Sequence, residues 1–111
     1  MKLKDTLKTL EAEAQCAESS LDRDVNWGYS SDLLSDVMAN AKKDSIWITL
    51  QTHPNIVAVA SLIGLSAILI SRGAEPDSET IAKASQENIP ILTTNLPTFE
   101  AAGKLYNLLT E

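Results

Sequence analysis

Apolar runs alternate with short polar interruptions along this chain, most clearly between Ser45 and Arg72. From Ile46 to Ser71 there is no Asp, Glu, Lys or Arg, and the run is broken only by Gln51-Thr52-His53-Pro54-Asn55 and by Gly64. A β-branched run, a polar loop with proline, an apolar run, a glycine and a second β-branched run predict strand, loop, helix, turn and strand. Strands that are apolar on both sides belong to a βαβ unit buried on both faces.

The same reading extends outward in both directions. Leu3, Leu7 and Leu10 fall at i, i+4 and i+7, one stripe of a first helix. Alternation in Glu11-Ala12-Glu13-Ala14-Gln15-Cys16 predicts a half-exposed strand, Glu18-Ser19-Ser20 a turn, and Val25, Trp27 and Tyr29 a second strand. Ser30 or Ser31 then caps a helix with Asp32 in its first turn, where the helix dipole favours an anion. Leu33, Leu34, Val37, Met38 and Ala41 form its expected buried face. A strand over 46–50 precedes a helix over 54–63, with Pro54 in the first turn and Gly64 as a left-handed stop. A strand over 67–71, a loop and a helix over 77–87 follow, with Ile81 and Ala84 inward. After Asn88 comes a strand over 89–94, and Pro97 opens a last helix whose inner face is Phe99, Ala102, Leu105, Tyr106 and Leu109. Strands starting near 46, 67 and 89 with helices between them run parallel when their crossovers are right-handed. The expected fold is therefore α/β, a three-layer α/β/α domain with a mostly parallel central sheet.

Composition narrows the functional classes. A length of 111 residues makes 1–111 a single domain, and an apolar share of 44% is enough for a packed core. The net charge of −6 with dispersed basic residues argues against nucleic acid or an anionic membrane as partner. The unbroken apolar part, Ile56 to Ile70, is shorter than the roughly 20 residues of a membrane span. Cys16 is the only cysteine, which excludes an internal disulfide and a Cys-only metal or iron–sulfur site in one chain. Together with an N-terminus that does not resemble a signal peptide, this leads to a cytoplasmic expectation.

Ligands of parallel sheets bind beyond the carboxyl ends of the strands. Three loops should meet there, contributing Gln51, Thr52, His53 and Asn55, then Ser71 and Arg72, then Thr93, Thr94 and Asn95. Two of the loops lead into helices opened by proline. Free N–H groups, hydroxyls and a guanidinium are suited to a phosphate or carboxylate, although the same Thr, Ser and Asn residues are also ordinary caps. His53 is the only histidine and cannot hold a metal alone, so no metal and no cofactor is expected. Asp32 and Asp36, at i and i+4, are either paired carboxylates or a solvated helix face. Trp27 and Tyr29 are either core or an interface patch. The four glycines form no Walker or G-x-G-x-x-G motif, and no G-x-S-x-G, H-E-x-x-H or C-x-x-C is present.

Three segments carry a family resemblance: Gly28-Tyr29-Ser30-Ser31-Asp32-Leu33-Leu34-Ser35-Asp36-Val37-Met38-Ala39-Asn40-Ala41, the stretch from Trp47 to Ala60, and Ile91-Leu92-Thr93-Thr94 with Phe99-Glu100. With these the chain resembles the DRTGG-domain family, over roughly Leu3 to Leu109. In particular it is similar to stand-alone bacterial proteins labelled HPr-kinase-like, some of which occur beside iron-only hydrogenase components. The resemblance implies a fold like the N-terminal domain of HPr kinase/phosphorylase and an accessory or regulatory role, with no catalytic residues to carry over. The literal Asp-Arg-Thr-Gly-Gly string is absent, Asp22-Arg23 and Asn26-Trp27-Gly28 being only fragments of comparable character, and so is the kinase's nucleotide-binding domain.

These readings lead to a non-catalytic, homodimeric regulatory module that binds a small anionic metabolite or nucleotide at the strand-end loops. The alternative is a protein–protein adaptor for a redox or metabolic enzyme, for example a hydrogenase, marked by an exposed aromatic patch at Trp27 or Tyr106 and by loops that are merely capped. A third reading is an enzyme using His53, Arg72 and the threonines on an acidic substrate.

Overall fold

The computed structural model describes all 111 residues. In chain order, a 3-10 turn (Leu3–Thr6) runs into the short helix α1 (Leu7–Leu10) and strand β1 (Ala12–Ala14). A second 3-10 turn (Glu18–Ser20) precedes β2 (Trp27–Ser30), α2 (Leu34–Asn40), β3 (Ser45–Thr49), α3 (Asn55–Ile63), β4 (Ala67–Ile70), α4 (Ser78–Gln86), β5 (Ile91–Thr94) and α5 (Thr98–Thr110). The apolar runs lie at the centre: every residue of β3 and β4 is buried.

The sheet order is β1-β5-β4-β3-β2, with β2 to β5 mutually parallel and β1 antiparallel on β5, Ala12 opposite Thr94. Because β2 to β5 follow one another across the sheet, three right-handed crossovers put α2, α3 and α4 on the same face. The first 3-10 turn, α1 and α5 cover the other face. The period-2 alternation of side chains divides the core accordingly. Trp47, Ile68, Ile70 and Ile91 pack with Val37, Ile56, Val57, Ala60 and Ala84 on the three-helix side. Ile46, Ile48, Leu69 and Leu92 pack with Leu3, Leu10, Ala101 and Leu105 on the other. The three-layer α/β/α expectation is met.

Gly64 ends α3 at φ 81°, its N–H bonded to the Ala60 carbonyl at 3.0 Å, as its sequence position requires. Gly28 serves close approach: a Cβ there would stand 2.7 Å from Leu105 Cδ2, so the Leu105 side chain of α5 packs directly onto the Gly28 backbone.

Two helix faces differ from expectation. Met38 (50% exposed), Leu33 (64%), Phe99 (88%) and Tyr106 (58%) were expected inward and face solvent. Helix α2 starts at Leu34, so Leu33 sits before it with an extended backbone and only Val37 is fully buried. Helix α5 meets the sheet along the narrow line Ala101–Leu105, which leaves Phe99 and Tyr106 outside it. The cap of α2 differs too. Ser31 Oγ accepts from the Leu33 N–H at 3.2 Å, whereas Asp32 turns to the end of β3. Its Oδ1 accepts from the Leu50 N–H at 2.7 Å and from the Thr49 hydroxyl at 2.8 Å.

Candidate functional site

At the carboxyl ends of the strands, chain direction decides where space opens. The loops after β3 and β4 both lead to the three-helix face, and they are tied together. The Thr52 carbonyl accepts from the Asp77 N–H at 3.1 Å and from the Thr80 hydroxyl at 2.7 Å, and His53 Nδ1 lies 3.0 Å from Asp77 Oδ2. The loop after β5 instead crosses to the α5 face. Neighbouring loops therefore part between β4 and β5, the position at which open α/β sheets form a crevice.

A cleft of about 360 Å³ lies there. Gly73, Ala74, Glu75 and Pro76 form one wall, Ile81 of α4 lies behind them, and Thr93, Thr94 and Asn95 form the end of β5. Glu11, Glu13 and Gln15 complete it, because alternate residues of β1 point to the three-helix face beyond the reach of α4. Gln15 Nε2 donates to Thr93 Oγ1 at 2.8 Å. The β4–α4 loop is held over the end of β5 by two backbone bonds, Arg72 N–H to Leu96 O at 2.8 Å and Gly73 N–H to Thr94 O at 2.9 Å. Both residues take left-handed backbones, φ 59° and 68°. At Gly73 a side chain would be strained by this φ, and its Cβ would also crowd Asn95 Oδ1 at 3.1 Å.

Of the nine residues expected to form a ligand site, Thr93, Thr94 and Asn95 line the cleft. Thr94 is nearly buried and its hydroxyl donates to the Leu10 carbonyl at 2.7 Å. Of the other six, Arg72 adjoins the cleft next to Gly73, and the remaining five do not converge with these three. Gln51 donates its amide to the Asp32 carbonyl at 2.9 Å, Thr52 and His53 join the β3–α3 loop to Asp77, and Asn55 is exposed at the start of α3. Ser71 is fully buried with its hydroxyl 2.6 Å from that of Thr98. Arg72 is exposed beside Gly73 and has no carboxylate partner. Glu11, Glu13, Gln15 and Glu75 were not anticipated. The polar members of the Glu11–Cys16 alternation were the available signal, but only the pairing of β1 with β5 brings them to the strand ends. The charge of the lining is also opposite to expectation: three carboxylates and no lysine or arginine.

A second concavity, about 200 Å³ and mostly apolar, lies between the outer edge of β2 and α5. Trp27 and Tyr106 meet edge to face there, their ring centroids 5.7 Å apart.

Elsewhere the titratable groups have structural work. Asp36 accepts the Tyr29 hydroxyl at 2.9 Å on both oxygens and the Asn40 amide at 3.0 Å. The Ser31 hydroxyl and the Tyr29 hydroxyl hold the Asp36 carboxyl below its ordinary pKa, and the same bond raises that of Tyr29. Asp32 and Asp36 thus serve different partners and are not a working pair. Burial pushes the Cys16 thiol up, away from nucleophilic character. No three His, Cys, Asp or Glu side chains converge as a metal site, and no helix is long and apolar enough to cross a membrane.

A one-directional parallel sheet closed by an antiparallel first strand, with a polar cleft where the last two loops part, defines a small α/β domain without a recognisable catalytic constellation. The DRTGG domain model matches residues 5–108, nearly the whole chain, and the protein belongs to that family. Among solved structures it is similar to the CBS and DRTGG domains of the regulatory region of Clostridium perfringens pyrophosphatase, complexed with the activator diadenosine tetraphosphate. The TM-score is 0.71 at 22% identity, covering 94% of this chain and 45% of that one. The chain thus spans less than half of that regulatory region, and the likeness is one of fold. No curated protein matches it.

Proposed function

We propose that this chain is a non-catalytic regulatory domain that senses a small ligand in the cleft between the β4–α4 and β5–α5 loops. The observation that carries this reading is the parting of those two loops around a polar cleft of about 360 Å³. The pyrophosphatase regulatory region, of similar fold, is bound to a nucleotide activator, which supports a nucleotide or related anionic metabolite here. Carboxylates at Glu11, Glu13 and Glu75 suit ribose hydroxyls and base amino groups rather than phosphate. Phosphate falls to Arg72, the one cation in the three strand-end loops, next to Gly73. The site residues of this reading are Thr93, Thr94, Asn95 and Arg72. A non-catalytic role is supported by hydroxyls and imidazole bonded to structural partners. The proposal includes a reducing, cytoplasmic setting for the lone thiol. It also includes a homodimer, for which Leu33 and Met38 near and on α2 and Leu62 on α3 offer exposed apolar surface.

A thermal-shift screen against nucleotides, phosphorylated metabolites and simple carboxylates tests this. A ligand at 100 times its Kd raises stability by about 2.7 kcal/mol. A rise lost in folded Arg72→Ala and Asn95→Ala variants supports the cleft, whereas a flat panel refutes ligand sensing. The adaptor reading is favoured by a separate observation, the exposed Trp27–Tyr106 pair over an apolar groove.

A further inference from the structure

The edge of the sheet at β2 is left open. Natural sheet edges are shielded by charge, proline, bulges or very short strands. At the other edge β1 is only three residues long and carries Glu13. The four residues of β2, Trp27-Gly28-Tyr29-Ser30, include no charge and no proline. On the β3 side the Ser31 N–H bonds to Ile48 O at 3.2 Å, so the alternating ladder directs the peptide groups of Gly28 and Ser30 outward. Directly beside this edge runs the apolar groove, with Ile48, Ala102, Leu105 and Leu109 on its walls. Its volume of about 200 Å³ suits one large side chain, given that a cavity of about 150 Å³ accepts a benzene ring.

We propose that an extended, uncharged segment of a partner protein adds to β2 as a sixth strand and lodges one apolar or aromatic side chain in the groove against Tyr106. This reading is independent of the ligand cleft. Main-chain bonds would supply affinity and the groove would supply selectivity, as in other cases of strand addition.

Two observations favour a foreign strand over a second copy at this edge. First, Trp27 is already engaged edge to face with Tyr106 of its own chain, and Gly28 and Ser30, whose peptide groups face outward, carry too little side chain to fill another copy's groove. Second, Trp27 and Tyr106 are 44% and 58% exposed, which leaves on the order of 200 Å² of aromatic surface, against about 800 Å² per partner in a standard interface. That is enough to anchor a strand and too little to hold two folded domains by this edge alone.

The test is selection of a library of short linear peptides on the intact protein, followed by affinity measurement and amide-resolved NMR with the best binder. Binders should carry apolar or aromatic residues at alternate positions without proline. Amide shifts should concentrate in β2 and α5, and hydrogen exchange at Gly28 and Ser30 should slow. Ser30→Lys, an exposed change that places a charge on the edge, should weaken binding about tenfold or more at unchanged melting temperature. Tyr106→Ser should weaken it similarly, and the distant exposed change Phe99→Ser should not. Three results each overturn the proposal: no binder above background, shifts confined to the cleft or to α2 and α3, or a β2-mediated dimer that Ser30→Lys converts to monomer.

Discussion

Replacing Gly28 by alanine adds a single methyl group at the tightest contact between the sheet and α5. The new Cβ would stand 2.7 Å from Leu105 Cδ2 and 3.5 Å from Leu105 Cγ. Leu105 is 2% exposed and packed among Ile46, Ile48 and Ala101, so yielding to the new methyl means turning toward the apolar groove at the cost of contacts in that cluster. Overpacking of this kind costs about 1–3 kcal/mol. Against it stands the gain from removing a glycine within regular structure, about 0.5–1 kcal/mol. The net expectation is a loss of about 1–2 kcal/mol, which lowers Tm by roughly 5–10 °C in a domain of this size. The assay is thermal and urea unfolding of the parent, Gly28→Ala, Leu105→Ala and the double variant. With Leu105 shortened the added methyl has room, so the penalty should vanish or change sign, a coupling of about 1 kcal/mol or more. A Gly28→Ala variant that melts at or above the parent would refute the close-approach argument. So would an equal penalty in both backgrounds.

Gly103 provides the opposite case: it lies inside α5, is exposed, and a Cβ there meets nothing within 4 Å. Gly103→Ala should stabilise by about 0.8–1 kcal/mol, read as a higher urea midpoint at unchanged m-value. The Tyr29–Asp36 contact should show in the pH dependence of stability. Because the Asp36 carboxyl is held below its ordinary value, its contribution is present above about pH 4 and fades as pH falls through the lower folded value. Because Tyr29 is raised, its contribution is present below about pH 10 and is lost as pH climbs through the folded value. Urea midpoints of parent and Asp36→Asn should therefore differ at neutral pH and converge as pH falls through the lowered folded value of Asp36; a constant gap across that range would contradict the assignment.

The central strands were readable because burial on both faces leaves a plain signature. Segments 46–50 and 67–71 were expected as strands, and Ser45–Thr49 and Ala67–Ile70 are observed. Gly64 and Pro54 marked the ends of α3 for local steric reasons that tertiary structure did not override. Helix faces were harder to read. A period of 3.6 cannot reveal that α5 buries fully only Ala101 and Leu105, with Ala102 and Leu109 half-buried beside them, and hydrophobicity alone does not show that Phe99 and Tyr106 lie outside that line. The candidate site was legible in part. Thr93, Thr94 and Asn95 followed from their position after a strand, whereas Glu11, Glu13 and Gln15 reach the cleft through a pairing that spans the chain. Gln51, Thr52 and Ser71 had the residue types of a binding loop and are used as internal ties. Residue type alone does not separate these two uses, because both draw on the same hydrogen-bonding groups.

The antiparallel seat of β1 has a consequence for the order in which the molecule is made. As the chain emerges during synthesis, β2, β3, β4 and β5 can dock one after another, each on the neighbour just completed. β1 emerges first but has no place until β5 has arrived, since Ala12 pairs with Thr94 and Ala14 with Leu92. Until then β1 waits unpaired, tethered through the first 3-10 turn, where the Leu3 and Lys4 N–H groups bond to the Arg23 and Leu21 carbonyls, and the growing sheet always carries one bare apolar edge. The last strand to be made is also the one that allows the first to dock, so the domain closes on itself only when almost all of its sequence is free to fold.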